Sequence, residues 1–250
     1  MLDSRDRFSA TAGLYDKHRP SYPADLIDWI LATSGLAAGA AIADVGCGTG
    51  ISTRLLASRG FDVVGIDPNE EMLAEARSIG GARYVQGEAA ATGLPAGAVA
   101  LVTVAQAFHW FDLAASLAEF ARVLTPAGWC AAFWNVRALV PGFMAEYDAL
   151  LRSHSREYGI VEKPDETAGR LRASARVRDL REAEFACSQA FDEASFLGRV
   201  FSSSYVAHGV PDRAAFEAAL RDLFERHQRS GVVEFRYRSL ALCFRPASRG

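Results

Sequence analysis

The sequence predicts an α/β fold: a mostly parallel sheet with helices on both faces. Three observations predict it. First, a short apolar run from Ala41 ends at Asp44-Val45, glycines follow at 46, 48 and 50, and Ile51 to Ser58 reads as a helix. Strand, tight loop and helix in that order frame the nucleotide sites of open α/β sheets. Second, residues 61–66 read as a strand that ends at Asp67. An acid about 20 residues past the glycine loop is placed to accept both ribose hydroxyls. Third, residues 99–105 are nearly all apolar, as a central strand covered on both sides requires.

Taken in order, residues 8–15 predict a short helix lying over the site. Pro20 and Pro23 break it, because the proline ring is excluded from a helix interior. Pro23 suits the first turn of a helix running to about Thr33, with Leu26, Ile27, Ile30 and Leu31 on one face. Residues 35–39 turn into the first strand. Pro68-Asn69 starts a helix over 70–78 whose Glu70, Glu71 and Glu75 form a solvated face. Residues 82–86 are a third short strand leading to Gly87-Glu88-Ala89, where a second acid could meet an adenine amino group. A loop at 93–97 precedes the fourth strand.

The end of the fourth strand is Gln106-Ala107-Phe108-His109-Trp110-Phe111-Asp112. Ligands of open α/β sheets sit outside the carboxyl ends of the strands, so this segment is expected at the reacting centre. Phe111 is expected in the core. Asp112 caps a helix through Leu124, and residues 125–128 turn into a fifth strand over 129–134 with Asn135 at its tip. Residues 141–158 read as helical. Arg170, Arg172, Arg176, Arg178 and Arg181 read as a solvated helix face rather than an anion site. Residues 184–191 suggest a sixth strand, 193–202 a helix, and 211–229 an amphipathic helix with Phe216, Leu220, Leu223 and Phe224 inward. Residues 232–244 alternate apolar and charged side chains, which predicts a last strand, followed by a loose tail from Pro246.

The glycine spacing is informative. In the dinucleotide fingerprint G-x-G-x-x-G a glycine stands three places after the second; here that place is Ile51. Asp44-Val45-Gly46-Cys47-Gly48-Thr49-Gly50, Asp67, Gly87-Glu88-Ala89 and Leu124-Thr125-Pro126-Ala127-Gly128 together resemble the class I S-adenosylmethionine-dependent methyltransferases. The resemblance spans roughly residues 40–135. More loosely, the 15–23 segment (Tyr-Asp-x-x-Arg-Pro-x-Tyr-Pro) and His109-Trp110-Phe111 resemble the trans-aconitate-methyltransferase-like branch.

The resemblance implies a Rossmann-like, seven-stranded, mostly parallel sheet with a helical lid insertion. It implies one domain over residues 1–250, with a helical cap at 1–35 and a lid and substrate region at 136–182. The implied cofactor is S-adenosyl-L-methionine, held by Tyr15, Arg19, Asp44, Gly46, Cys47, Gly48, Gly50, Asp67, Pro68, Met72, Glu88, Ala89 and Gln106. The acceptor would meet Phe108, His109, Trp110, Trp134 and Asn135. Three roles stay open for His109: taking a proton from a hydroxyl or amine, binding only, or structure. Arg19 is read either as a partner of the methionyl carboxylate or as a surface arginine, and Asn135 as an acceptor contact or a turn residue.

Composition narrows the classes. The chain has 250 residues, half of them hydrophobic, which is enough for a full core. A net charge of −3 argues against a general nucleic-acid binder. Four cysteines lie far apart with no C-x-x-C pair, the pattern of reduced thiols in a cytoplasmic protein. Cys47 in the glycine loop is read as a small residue that fits, ahead of a reactive thiol. No membrane span, signal peptide or metal-ligand spacing is seen. The expected reaction is methyl transfer to a small carboxylate, hydroxyl or amine in a cytoplasmic monomer or homodimer. A use of S-adenosylmethionine without methyl transfer, releasing methylthioadenosine, and a non-catalytic binding protein are the alternatives.

Overall fold

The computed structural model describes residues 21–159 and 164–247. The helix expected at 8–15 lies outside the described residues. One seven-stranded sheet runs through the molecule in the order β3-β2-β1-β4-β5-β7-β6. Its strands are β1 (Ala41–Val45), β2 (Asp62–Asp67), β3 (Arg83–Gln86), β4 (Val99–Ala105), β5 (Leu124–Arg137), β6 (Val177–Phe191) and β7 (Val233–Pro246). The first five are parallel; β7 pairs antiparallel with both β5 and β6. This is the predicted Rossmann-like sheet. Its order reverses between β1 and β4, and the carboxyl ends of those two strands flank the glycine loop.

Helices cover both faces. Helix α1 (Ala24–Ser34) buries Leu26, Ile27 and Ile30 against Ile42, Leu101 and Phe133. It stops at Gly35, whose φ of 60° a side chain would resist. Helix α2 (Ile51–Ala57) adds Leu56 to the same face. On the other face α4 (Leu113–Val123) brings Leu117, Phe120 and Val123 onto Val102, Val104 and Phe244. The strand period of two sets this division: Leu101 points to one face, Val102 and Val104 to the other. Asp112 caps α4, accepting from the Ala115 amide at 2.8 Å. Helix α3 (Glu70–Ile79), capped by Asn69, seats Leu73 and Ala76 on Tyr84 and Cys47.

A second apolar cluster lies over the first residues of β7. It joins Met144, Tyr147 and Leu151 of α5 (Phe143–His154), Phe196 and Val200 of α7 (Glu193–Phe201), and Phe216, Leu220 and Leu223 of α9 (Arg213–His227). Val233, Phe235 and Tyr237 of β7 form its floor. Helix α6 (Pro164–Ala173) instead sends Ala168 and Leu171 into the sheet's own core, and α8 (Ser204–Ala207) is a single turn.

Four expectations are corrected. β5 begins at Leu124, already paired with Val99, and a register shift then absorbs the 125–128 segment before Trp129 meets Leu101. β6 begins at Val177, so Arg178 and Arg181 lie on an edge strand, where charged side chains protect the unpaired edge. The Arg181 guanidinium lies 5.3 Å above the Trp129 ring. Only Arg170 and Arg172 of that series are helical. Finally, Pro246 pairs with Val177, and the Ala247 amide donates to Arg176 at 2.8 Å, so the tail is tied down through residue 247.

Candidate active site

The loop between β1 and α2 is held from behind. The Asp44 carboxylate is fully buried and accepts three hydroxyls: Ser52 at 2.7 Å, Thr53 at 2.6 Å and Thr103 at 2.8 Å. Two of these start α2 and the third stands on β4, so one acid fixes three elements. Burial raises its pKa while the hydroxyls pull it back. The amides of Gly46 and Cys47 donate to the Ile66 carbonyl at 2.7 and 3.1 Å. At Gly46 (φ 72°) a Cβ would lie 2.6 Å from that of Ala107, so nothing larger fits.

In front of the loop stands Asp67. Its Oδ2 accepts the Gly48 amide and its Oδ1 the Asn69 amide, both at 2.9 Å. Burial raises its pKa, and these two amides oppose the shift. Each oxygen has a second lone pair, so both can still accept a hydroxyl. Asp67, Pro68, Met72, Glu88, Ala89 and Phe111 line a cavity of about 350 Å³. A larger cavity of about 620 Å³ continues past His109, Asn135, Arg137, Arg199, Tyr205 and Tyr237. Gly46, Gly48, Ala105, Gln106 and Trp110 belong to the walls of both.

Gln106 is the hinge of that shared wall. Its φ is 59°, a left-handed conformation that is strained for a residue with a side chain. Its amide donates to the Phe133 carbonyl at 2.9 Å and its side chain to the Asn135 carbonyl at 3.3 Å, which hold it there. His109 packs its ring 4.8 Å from Trp110 and faces the larger cavity. Asn135 accepts from Ser239 at 2.6 Å and donates to the Ser21 carbonyl at 3.2 Å, tying β5 to β7 and to the segment before α1. The Cys47 thiol is pushed well up by burial and then by Asp44 and Asp67. It stays protonated, which fits the small-residue reading.

Several expected site residues are corrected. Asp44 and Gly50 line neither cavity; Asp44 faces the hydroxyls behind the loop, and Gly50 packs against Tyr84. Phe108 and Trp134 are closed into the sheet's core, Phe108 against Phe111, Phe120 and Phe244. Phe111 packs against that core as expected and also lines the smaller cavity. Tyr15 and Arg19 lie outside the described residues. The sequence reading missed Arg137, Arg199, Tyr205 and Tyr237. One signal was available: Phe196, Arg199 and Val200 share the apolar face of α7, where an arginine is out of place.

The sheet order, with β7 antiparallel between β5 and β6, defines a Rossmann-like fold. Residues 43–132 match the family described as the methyltransferase domain. An uncharacterized methyltransferase of Mycobacterium tuberculosis is 39% identical over 145 residues, 58% of each chain. The chain thus spans about three-fifths of that relative's length. A malonyl-[acyl-carrier protein] O-methyltransferase of Serratia marcescens is 33% identical over 123 residues, 48% of each chain. Among solved structures, a candidate type II methyltransferase from Anaeromyxobacter dehalogenans superimposes with a TM-score of 0.71 at 25% identity, over 92% of this chain and 99% of that one. Among the described residues no helix is long and apolar enough to cross a membrane.

Proposed function

We propose that the chain is an S-adenosylmethionine-dependent methyltransferase acting on a small molecule with a carboxylate, hydroxyl or amine. The observation that carries this reading is the shared wall of Gly46, Gly48, Ala105, Gln106 and Trp110 between the two cavities. One cavity suits a nucleoside and the other an acceptor, and a group passing between them meets only backbone, an amide and an indole. Asp67 would hold the ribose diol, Glu88 the adenine edge, and Pro68, Met72 and Ala89 the apolar face of the base. Gly48 leaves open space where a side chain would intrude. When bound, the cofactor supplies an electrophilic methyl carbon on a sulfonium.

The protein's share is positional. Holding nucleophile and methyl carbon in line is worth up to about 7–11 kcal/mol of barrier. The Trp110 face favours nearby positive charge. His109 can take the proton of a hydroxyl or amine acceptor; a carboxylate needs no base. The carrier-protein O-methyltransferase among the relatives and the resemblance to the trans-aconitate-like branch both support a carboxylate among the acceptor classes. Helix α5, residues 157–159 and the start of α6 would wall the acceptor side as a lid.

The test is mass spectrometry of the purified protein with S-adenosylmethionine, alone and then with a panel of acids, phenols and amines. Asp67→Ala is the background control. S-adenosylhomocysteine formed only with an acceptor is expected; methylthioadenosine formed from the cofactor alone, above the control, would overturn the reading. His109→Ala should keep cofactor binding and lose at least about tenfold in turnover with a hydroxyl or amine acceptor. Unchanged turnover would confine His109 to shaping the cavity.

A further inference from the structure

The far end of the larger cavity holds four arginines, Arg137, Arg152, Arg199 and Arg238, and three acids, Asp148, Glu157 and Asp165. Of its charged side chains, Arg152 pairs with Asp148 at 2.6 Å and Arg238 with Asp165 at 2.6 Å; Glu157 also borders the cavity. Arg137 and Arg199 have no ion pair among the described residues. Arg137, at the end of β5, donates to the Tyr205 hydroxyl at 3.1 Å and the Tyr158 hydroxyl at 3.0 Å. Arg199, on α7, is 7% exposed and donates to Ser203 at 3.0 Å. Its Nε is buried with no hydrogen-bond partner, and so is the hydroxyl of Tyr237, which is 3% exposed.

This arrangement is costly as it stands. An unpaired buried charge loses its hydration with nothing in return, and a buried donor without a partner gives up its bond to water unreplaced. Two guanidiniums facing the same three tyrosines, Tyr147, Tyr205 and Tyr237, also repel each other. The tyrosines do not neutralise them: burial pushes the Tyr158 hydroxyl up to about 12 and Tyr147 higher still, so both stay protonated. Asp148 offsets Arg137 through space, without a direct hydrogen bond, and through Tyr158, which donates to it. Among the described residues neither guanidinium donates to a carboxylate, an acceptor with negative charge and more than one oxygen. Guanidinium groups match carboxylate and phosphate for that reason.

We infer that Arg137, Arg199 and Tyr237 form a binding site for an anionic group, a carboxylate or a phosphate, that anchors the acceptor at the end of the larger cavity. As a statement about the acceptor it rests on the methyltransferase reading; as an anion site it does not. The anchor is separate from the atom that is methylated. It selects acidic molecules and turns their other end toward the shared wall at Gly46 and Trp110.

The experiment is calorimetric titration of the full chain at constant ionic strength with succinate, inorganic phosphate and the neutral succinamide. S-adenosylhomocysteine is titrated in parallel. Succinate or phosphate should bind, and whichever binds more tightly separates the carboxylate from the phosphate source. Succinamide should not bind. Arg199→Gln should weaken the anion at least tenfold and Tyr237→Phe several-fold, with the affinity for S-adenosylhomocysteine unchanged within twofold. If Arg199→Gln does not fold, Arg137→Lys and Tyr237→Phe carry the same comparison. No binding of either anion, equal binding of succinamide, or anion binding indifferent to all three substitutions would overturn the inference. Anion binding without S-adenosylhomocysteine binding would sink the methyltransferase reading and leave the anion site standing.

Discussion

Two glycines two residues apart do different work in the loop after β1. At Gly48 (φ 54°) an added Cβ meets nothing within 4 Å. At Gly50 (φ 83°) it would lie 2.4 Å from the Tyr84 hydroxyl. Gly48→Ala should therefore cost only about 1–2 kcal/mol of stability, the strain of a left-handed backbone. It should also weaken S-adenosylhomocysteine at least about tenfold, because the methyl enters space that both cavities share. Gly50→Ala adds overpacking to the strain and should cost about 2–5 kcal/mol. Urea unfolding and calorimetry on both variants check the split; a Gly48→Ala protein that binds normally would remove Gly48 from the site. The sequence announces the loop but not this division. All but the first residue of β1 are buried, on both faces of the sheet, so alternation could not say that Asp44 points away from the ligand. Phe108–Trp110 form a single tight turn with no period, so nothing told Phe108 from Phe111.

At the scale of elements, α4 is fastened to the loop before β4 by one acid. Glu119 is 8% exposed and accepts the Thr92 amide at 2.9 Å and its hydroxyl at 2.6 Å, with Arg122 bidentate on the other side. The Arg122 hydrogen bonds lower its pKa from 4.5 to about 2, against the cost of burial. A lowered carboxylate pKa stabilises the fold above the unfolded value, and the gain is lost as pH falls from 4.5 to about 2. Glu119→Gln should cost about 2–3 kcal/mol at pH 7, allowing for solvent on the exposed side of Arg122. Wild type and variant should converge by pH 2 in urea unfolding; a gap independent of pH would assign the loss to packing. Asp44 and Asp67 act with the opposite sign: their raised values make stability fall as pH climbs above about 3.8. Element boundaries were legible where a cap or an apolar period marked them. β4 stands as read, and α9 lies within its predicted range with Asp212 as its cap. They were illegible where Pro and Gly suggested a turn that a register shift absorbs in β5, and where an edge strand carries the arginines expected on a helix.

For the whole molecule, the walls of the two cavities divide along the chain. The smaller cavity is built wholly from residues 46–116, inside the segment that matches the methyltransferase domain. The far wall of the larger one comes from residues 136–238, beyond that match. The first half was readable because glycines and acids at fixed spacing carry its chemistry. The second was not, because its arginines and tyrosines converge from β5, α7, α8 and β7 with no local pattern. Cavity-facing substitutions at 136–238 that fold should mostly leave S-adenosylhomocysteine affinity within about threefold, since separated sites act additively. A calorimetric survey in which most of them weaken it tenfold would refute that independence. This seam has a meaning for descent. On the proposed reading, a lineage could change the walls behind residue 136, and with them the acceptor, while keeping the smaller cavity.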